Sequence, residues 1–502
     1  MHTPQPRFPA IDRDLAVDVV VVGSGITGVT AAWLLRREGR RVALIDRDRA
    51  GGQDSQRTTA HLTFVTDTRL HELVKRFGED DARAVWDAGA AAIDQIAANV
   101  RDSGAECGFR RVPGYLHVPL AAEDEERAVE VGRLREDALL AGRFGFDARY
   151  IERVPDCGVP GVRFGDQAAF DPGRYIAALL PQIAGDGSHV FESTPLASIE
   201  ENPRRVITAS GREIRCDYIV IATHNPLSGS IGELRSALLQ TKLSLYTSYV
   251  LGARLPVGTL PDALYWDTAD PYDYLRIEPR PNHQLVIFGG ADAKTGQGDD
   301  EAAFRQLEQR LASRLPGAQL TQRWLGQVIE TDDGLPYIGE HADREFIATG
   351  FAGNGYTFGT IAGMMARDAF LGRSNPWTTL FRVDRKPVHG GVLRYLRENL
   401  DYPWYLLRDR LAGDAKRAVE EVPVGEGRVV ALDAGKCAVF RREDGTLSVR
   451  SAVCTHLKCL VHWNSADRTW DCPCHGSRFA PEGGVISGPA EEPLPRIKPD
   501  KD

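Results

Sequence analysis

The sequence predicts an α/β nucleotide-binding domain interleaved with an antiparallel α+β domain, followed by a small all-β domain. Three observations predict it. An apolar strand, a glycine-rich turn and a helical pattern open the chain; strands rich in Tyr and Leu occupy residues 241 to 290; and short β-like runs after residue 420 enclose a group of cysteines and histidines.

A chain of 502 residues has room for about one to three domains and for a large core. Its hydrophobic fraction of 42% and charged fraction of 26% are those of a folded globular protein and exclude a wholly disordered or fibrous chain. Asp and Glu total 70 against 61 for Lys and Arg, which gives a mildly acidic surface unsuited to nucleic acid. The opening residues, MHTPQPRFPAIDRD, lack the apolar core of a signal peptide, and no uncharged apolar run approaches the roughly 20 residues that span a bilayer. A cytoplasmic protein without a membrane span is expected.

In order along the chain, Asp18-Val-Val-Val-Val22 reads as a buried strand, and the spacing of Ala31, Ala32, Leu34 and Leu35 as a helix. Arg41-Val-Ala-Leu-Ile-Asp46 is the next strand and closes a βαβ unit. Residues 67 to 104 and 122 to 142 carry helical patterns, and Arg111 to Val118, lying between them, reads as a strand of another sheet. Residues 190 to 223 alternate short strands with turns and end in Asp217-Tyr-Ile-Val-Ile-Ala-Thr223. After the antiparallel strands, a helix at 300 to 315 leads through Gly334-Leu-Pro-Tyr-Ile-Gly339 and Phe346-Ile-Ala-Thr-Gly-Phe351 into a helix from about 357.

This order predicts a discontinuous nucleotide-binding domain (12–85, 151–240 and 325–373) interleaved with a substrate domain (86–150 and 241–324). Pro376, Pro387 and Gly390-Gly391 mark a linker at 374–419 with an amphipathic docking helix at 391–412, and the last domain takes 420–502.

Gly23-x-Gly25-x-x-Gly28 lies between a strand and a helix, where glycines permit the tight turn and let a pyrophosphate approach the helix N-terminus. Asp46 ends the following strand, at the position of the acid that accepts a hydrogen bond from an adenosine ribose. No second glycine-rich fingerprint follows in the middle of the chain.

Cys107, Cys157, Cys216 and Cys437 are scattered and read as buried hydrophobes, whereas four cysteines fall between positions 454 and 474. Cys454-x-His456 and Cys472-x-x-His475 each offer one thiolate and one imidazole from a tight turn. Such a set can hold zinc. It can also hold a [2Fe–2S] cluster, in which replacing two thiolates by neutral imidazoles raises the potential to about −150 to +300 mV from about −400 mV.

The flanking residues separate these. Cys454-Thr-His-Leu-Lys-Cys459 and Cys472-Pro-Cys-His-Gly-Ser477 resemble both cluster-binding loops of Rieske proteins of the cytochrome bc1 and b6f type, and zinc fingers show neither loop. The resemblance implies a disulfide between Cys459 and Cys474, which ring-hydroxylating oxygenases generally lack. It also matches Ser477 to a serine whose hydroxyl bonds to a cluster sulfide. Where those proteins have a tyrosine two residues on, this chain has Phe479, which implies one hydrogen bond fewer and a lower potential. Lys458 stands where glycine is usual, either as a charge near the cluster, as a contact for an acidic partner, or as a solvated side chain on a loop tip.

Upstream, Arg57-Thr-Thr-Ala-His-Leu-Thr63, the strand ending at Thr223 and Gly350-Phe-Ala-Gly-Asn-Gly-Tyr-Thr-Phe-Gly359 resemble flavin-contacting stretches of the D-amino-acid oxidase and sarcosine oxidase superfamily. FAD is the implied dinucleotide, on a DAO/glutathione-reductase-like fold. Over nearly its whole length the chain resembles a bacterial family of such oxidoreductases fused to a C-terminal Rieske domain, a likeness that includes Lys294-Thr-Gly-Gln297, Asp333 to Gly339 and Trp463-Asn464. It implies FAD contacts from Ile26 and Thr27 beside the glycines, from Arg47 after Asp46, and from Arg57, Thr58, Thr59, His61 and Leu62. Further contacts are implied from Leu196 and Thr223, and from Gly353, Asn354, Gly355, Tyr356 and Thr357. His61 matches a histidine that links covalently to flavin in the dimethylglycine and sarcosine dehydrogenases, although no tryptophan precedes it here.

In this superfamily the inner face of the antiparallel sheet lies over the flavin, which makes Tyr249, Tyr274 and Arg276 the substrate-side candidates alongside His61. Arg276 is the candidate to hold a substrate carboxylate with two parallel hydrogen bonds. The implied activity is oxidation of an amine, amino acid or N-methyl amino acid at FAD, with single electrons passing to the Rieske cluster and on to an unidentified external acceptor. Reverse flow from an outside donor, and a non-catalytic redox sensor or carrier, are the rival readings.

Overall fold

The computed structural model describes residues 3–52, 54–225, 239–240, 242–385 and 419–497. The expected docking helix at 391–412 and most of the expected linker lie outside them.

Four consecutive valines favour extended backbone, and Val19–Val22 is the inner strand of a six-stranded sheet, parallel to Val42–Ile45 on one side and Tyr218–Ile221 on the other. His189–Phe191 and Glu345–Thr349 extend the parallel array outward, and Tyr337–Ala342 closes one edge antiparallel. Alternation sends Val19 and Val21 into one core and Val20 and Val22 into another. Helices Ile26–Arg37 and Gly355–Phe370 cover the first face. They approach closely because Gly363 lies against Thr30, where a Cβ would stand 2.7 Å from the threonine Cβ. A four-stranded sheet of Leu15–Ala16, Leu196–Glu201, Arg204–Thr208 and Glu213–Arg215 covers the second face.

The second body is an eight-stranded sheet in the order Gln319–Thr331, Leu243–Leu255, Gln284–Lys294, Tyr274–Pro279, Leu264–Asp267, Arg110–His117, Gly161–Ala169, Ala148–Ile151. It is antiparallel except for the parallel pair of Leu264–Asp267 with Arg110–His117, so the expected antiparallel sheet is mixed. Gly161–Ala169 pairs with the free edge of Arg110–His117, so residues just past the expected boundary at 151 join this sheet. Gln319–Thr331 likewise carries this sheet across the expected boundary at 325. Helix Asp300–Arg314, capped by Asp299, covers the outer face with Phe304, Leu307 and Leu311 packed against Tyr249, Leu251 and Tyr265. The helical stretch expected at 67–104 divides at Gly78, whose φ of +88° ends Leu70–Phe77 before Glu79–Ser103 begins.

The C-terminal part is all-β, as expected. A three-stranded antiparallel sheet (Gly427–Leu432, Gly435–Arg441, Leu447–Ser451) and a four-stranded one (His462–Asn464, Thr469–Asp471, Arg478–Phe479, Val485–Ser487) share a core that includes Phe440, Trp470, Phe479 and Leu494. Cys107, Cys216 and Cys437 are buried and Cys157 is half-buried. Among the described residues no helix is long and apolar enough to cross a membrane.

Candidate functional site

The glycine-rich turn is sterically fixed. Gly23 has φ +98°, and a Cβ there would lie 2.4 Å from the Ala222 carbonyl oxygen; a Cβ on Gly28 would lie 1.8 Å from the carbonyl oxygen of Gly23. Helix Ile26–Arg37 starts with no side-chain cap on Gly25 and no acid in its first turn, leaving its positive end suited to a phosphate. Asp46 sits beside this turn, its Oδ2 accepting from the Ser24 amide at 2.9 Å.

From Gly25, Ile26 and Thr27 a cavity of about 270 Å³ runs past Arg57, Thr58, Thr59 and His61 to Gly353, Asn354, Gly355 and Tyr356. Leu62, Leu196, Thr223 and Thr357 are absent from its wall. Leu62 bridges to Ala168 through its backbone, Thr223 Oγ1 donates to the Asn225 carbonyl at 2.8 Å, and Thr357 Oγ1 to the Thr63 carbonyl at 2.8 Å, so these residues brace the loops that form it. Arg47 turns to the C-terminal part, donating to the Ile486 carbonyl. Arg57 reaches the wall but pairs with Asp467 at 3.2 Å.

Of the substrate-side candidates, His61 and Tyr274 face the cavity. The His61 ring meets those of Trp266 and Tyr274 edge-on at 5.7 and 5.8 Å, and both its nitrogens are buried without a partner. Burial, aided by the charge of Arg276, pulls its pKa down to about 3, so the imidazole is neutral. Tyr274 Oη lies 3.0 Å from Ser248 Oγ. Tyr249 faces the other way: its hydroxyl donates to Asp300 and its ring packs on Phe304.

Arg276 corrects an expectation. Alternation places it on the same sheet face as Tyr274, but the Thr59–Ala60 segment covers it. It donates to the Thr59 carbonyl and to Glu278 Oε2, both at 2.5 Å, is 1% exposed, and does not line this cavity. It is a buried structural ion pair, not a free carboxylate clamp.

Sequence reasoning missed Trp266, Tyr272, His224, Asp292 and Gln327, all in the cavity wall. His224 directly follows the strand flagged as ending at Thr223 and was within reach. The others carry no local pattern: Trp266, Asp292 and Gln327 arrive through strand register, and Tyr272 on the loop that precedes Tyr274–Pro279.

The cluster loops are two closed turns. The Cys454 amide donates to the Cys459 carbonyl at 2.7 Å and the Lys458 amide back to Cys454 at 3.2 Å; the Cys472 amide donates to Ser477 at 2.8 Å and Gly476 back to Cys472 at 2.9 Å. The disulfide implied by the resemblance, Cys459–Cys474, joins them. The His456 and His475 rings stand edge-to-face, 5.0 Å apart, and Nδ1 of each is buried with no hydrogen-bond partner. The thiols of Cys454 and Cys472 hydrogen-bond to each other, which draws Cys454 down to about 7. Burial pulls His475 down to about 4 and lowers His456, keeping both imidazoles in the ligand form. Two orphaned nitrogens and two facing thiols fit a cluster bound by two imidazoles and two thiolates. Ser477 accepts from the Ala490 amide at 3.0 Å and hydrogen-bonds toward Cys454.

These loops are seated on the edge of the eight-stranded sheet. His456 Nε2 is hydrogen-bonded with Gln240 Oε1 at 3.0 Å, and Gln297 Nε2 donates to the Pro473 carbonyl at 2.9 Å. A Cβ on Gly296 would lie 2.9 Å from the Cys472 carbonyl carbon, so Lys294 to Gln297 form the seat of the second loop. Gln327 lines the cavity and also grips the cluster loop: Nε2 donates to the Gly476 carbonyl at 2.8 Å, and Oε1 accepts from Ser487 at 2.8 Å.

Comparison with known proteins agrees with this division. Residues 18–369 match the family described as DAO, FAD dependent oxidoreductase, and residues 415–498 match the Rieske [2Fe-2S] domain. A Bacillus subtilis protein, YhfW, whose name describes it as a Rieske 2Fe-2S iron-sulfur protein, is 31% identical over 505 residues, covering 99% of this chain and 96% of that one. A glycine oxidase of Bacillus licheniformis is 26% identical over 382 residues, covering 74% of this chain and 97% of its own. The solved glycine oxidase of Geobacillus kaustophilus shares the fold with a TM-score of 0.61 at 18% identity, covering 74% of this chain and 99% of that one. The chain belongs to the DAO family of FAD dependent oxidoreductases, extended by a C-terminal Rieske domain, and its cofactors are FAD and a [2Fe–2S] cluster.

Proposed function

We propose that the protein oxidises the C–N bond of an amine, amino acid or N-methyl amino acid and sends the electrons, one at a time, through its own Rieske cluster to an external acceptor. When bound, FAD supplies two-electron hydride acceptance and the cluster one-electron transfer. The observation that carries the reading is Gln327, one side chain in both the cavity wall and the grip on the cluster loop. Direct passage between the two sites needs such closeness. His61 supports the substrate side: an uncharged imidazole with both nitrogens unpartnered accepts a hydrogen bond from an amine without repelling a cation. The glycine oxidase relative, by its name, acts on an amino acid, which supports the bond class.

Anaerobic rapid mixing with amines and amino acids tests the direction of flow. Flavin bleaching by an amine or amino acid, followed by the reduced-cluster EPR signal, is expected; bleaching by NADH with none by any amine or amino acid establishes reverse flow. In Gln327→Ala the bleaching step should persist while cluster reduction slows about tenfold. Cluster reduction at the parent rate would remove Gln327 from the route. Acid denaturation settles His61 separately, since released flavin excludes a covalent link.

A further inference from the structure

We propose that the cavity takes an amine whose far end is also cationic, a diamine-like substrate without a carboxylate, anchored by Asp292. The inference rests on the cavity being where the amine is oxidised, and it names the substrate class. Asp292 lies on Gln284–Lys294, where pairing with Leu243–Leu255 sets it against Ser248, whose hydroxyl in turn meets Tyr274, all three in the cavity wall. Its Oδ1 is shielded from solvent and has no hydrogen-bond partner. An unpaired carboxylate oxygen in a desolvated wall is unfavourable until a cation meets it.

Other groups around it agree. Asp67 and Asp267 reach the same cavity, with Asp67 accepting from Tyr272 Oη at 3.1 Å and Asp267 from the amides of Ala269 and Asp273 at 3.0 and 3.2 Å. Burial, and the like charges of Asp67 and Asp273, push Asp292 up to about 7 despite a hydrogen bond from Ser248 and the charge of Arg310. Arg310 is itself paired with Asp273 at 3.0 Å. The rings of Tyr272 and Tyr274, 5.9 Å apart, add faces that attract an ammonium.

The cations nearby are committed elsewhere. Arg69 pairs with Glu130 at 2.6 Å and Asp137 at 2.7 Å, Arg57 with Asp467, and Arg276 with Glu278. Among the described residues, then, no unpaired guanidinium in this wall awaits a substrate carboxylate, while one buried carboxylate oxygen awaits a cation.

The test uses the FAD-loaded full-length protein at mildly alkaline pH. Putrescine, n-butylamine, γ-aminobutyrate and glycine are titrated, with binding read from the flavin difference spectrum and by calorimetry. Putrescine should bind about 10–100-fold more tightly than the other three, the range for a hydrogen bond to a charged group. In Asp292→Asn that preference should collapse, and Asp292→Glu should restore part of it; FAD content reports folding in each variant. Tightest binding by γ-aminobutyrate or glycine in the parent protein would overturn the inference, as would a preference for putrescine that survives Asp292→Asn. The ligand series on the parent protein decides even if the variants fail to fold. Because binding is read without turnover, a putrescine preference with no flavin bleaching supports the cation site while counting against amine oxidation. Bleaching by a more tightly bound amino acid does the reverse.

Discussion

The cluster pocket and the cavity are built on opposite plans. In the cluster pocket all four candidate ligands come from two short turns, each closed by its own backbone hydrogen bonds, and one disulfide ties the turns together. In the cavity, Ile26, His61, His224, Trp266, Asp292, Gln327 and Gly353 arrive from segments spread over most of the chain. A ligand set held by local turns keeps its spacing in the sequence, whereas a wall assembled by sheet register does not. The contrast predicts that cavity residues are sensitive to distant packing and that cluster residues are sensitive to the turns themselves.

The largest test of that contrast is Arg276→Met. If Arg276 is an internal brace of the Thr59–Ala60 segment, its loss strands Glu278 in the interior and lowers stability by about 3–5 kcal/mol, toward the low end because Arg280 still pairs with Glu278 at 2.6 Å. Denaturant unfolding measures this. Unchanged stability with a substrate affinity reduced about tenfold would instead restore Arg276 as a substrate contact. On the cluster side, the matching experiment is Cys459→Ser with Cys474→Ser, which opens a link with a sequence separation of 15 and should cost about 3 kcal/mol. The expected sign is faster loss of the EPR signal under a chelator, with FAD content unaffected.

The different legibility of the two regions follows from the same physics. Cys454, His456, Cys472 and His475 could be named from spacing, and the structure brings them together; the glycines at 23, 25 and 28 could be named because a Cβ has no space at Gly23 or Gly28. The parallel sheet was legible from unbroken apolar runs such as Val19–Val22, buried on both faces. Tyr249 and Arg276 were misplaced because alternation fixes only which face a side chain takes. What covers that face is a tertiary matter: for Tyr249 the Asp300–Arg314 helix, for Arg276 the loop at Thr59–Ala60. Asp292 and Gln327 had no signal at all, since nothing in their sequence neighbourhood records the distant chain that meets them.

Asp292 allows a pH experiment of intermediate size. Its folded pKa, raised to about 7, exceeds the ordinary 3.8, so the folded protein holds this proton more tightly than the unfolded chain. Unfolding free energy therefore falls as pH rises from near 4 to near 7 and levels off above. Asp267, raised to about 6 mainly by burial, adds to the same slope over a narrower window. Asp292→Asn should remove part of the slope, stabilising the protein at pH values above about 7 and changing nothing near pH 4. An unaltered slope would mean that Asp292 is solvated and paired, contrary to its place in the cavity.

Within the cluster pocket, Phe479→Tyr adds a hydroxyl to a ring that is fully buried in the same core as Cys454 and Cys472. A new hydrogen bond to a cluster sulfur favours the reduced state, and about 1 kcal/mol of such preference corresponds to roughly 40 mV upward for one electron. Redox titration by EPR reads it; an unchanged or lower potential would mean that the hydroxyl finds another partner.

The smallest effect is expected at Lys458, where the turn itself explains the departure from glycine. Its φ of +64° is the left-handed conformation, and among the described residues its exposed side chain donates only to the Thr455 carbonyl, at 3.4 Å. A non-glycine residue in that conformation costs about 1–2 kcal/mol, and glycine returns about 0.5–1 kcal/mol of this through the greater freedom of the unfolded chain. Lys458→Gly should therefore stabilise the C-terminal domain by about 0.5–1 kcal/mol in denaturant unfolding. If the domain is instead destabilised, or the cluster potential moves while stability does not, the lysine is kept for its charge beside Cys454, and this turn is tuned for redox chemistry at the expense of its own backbone.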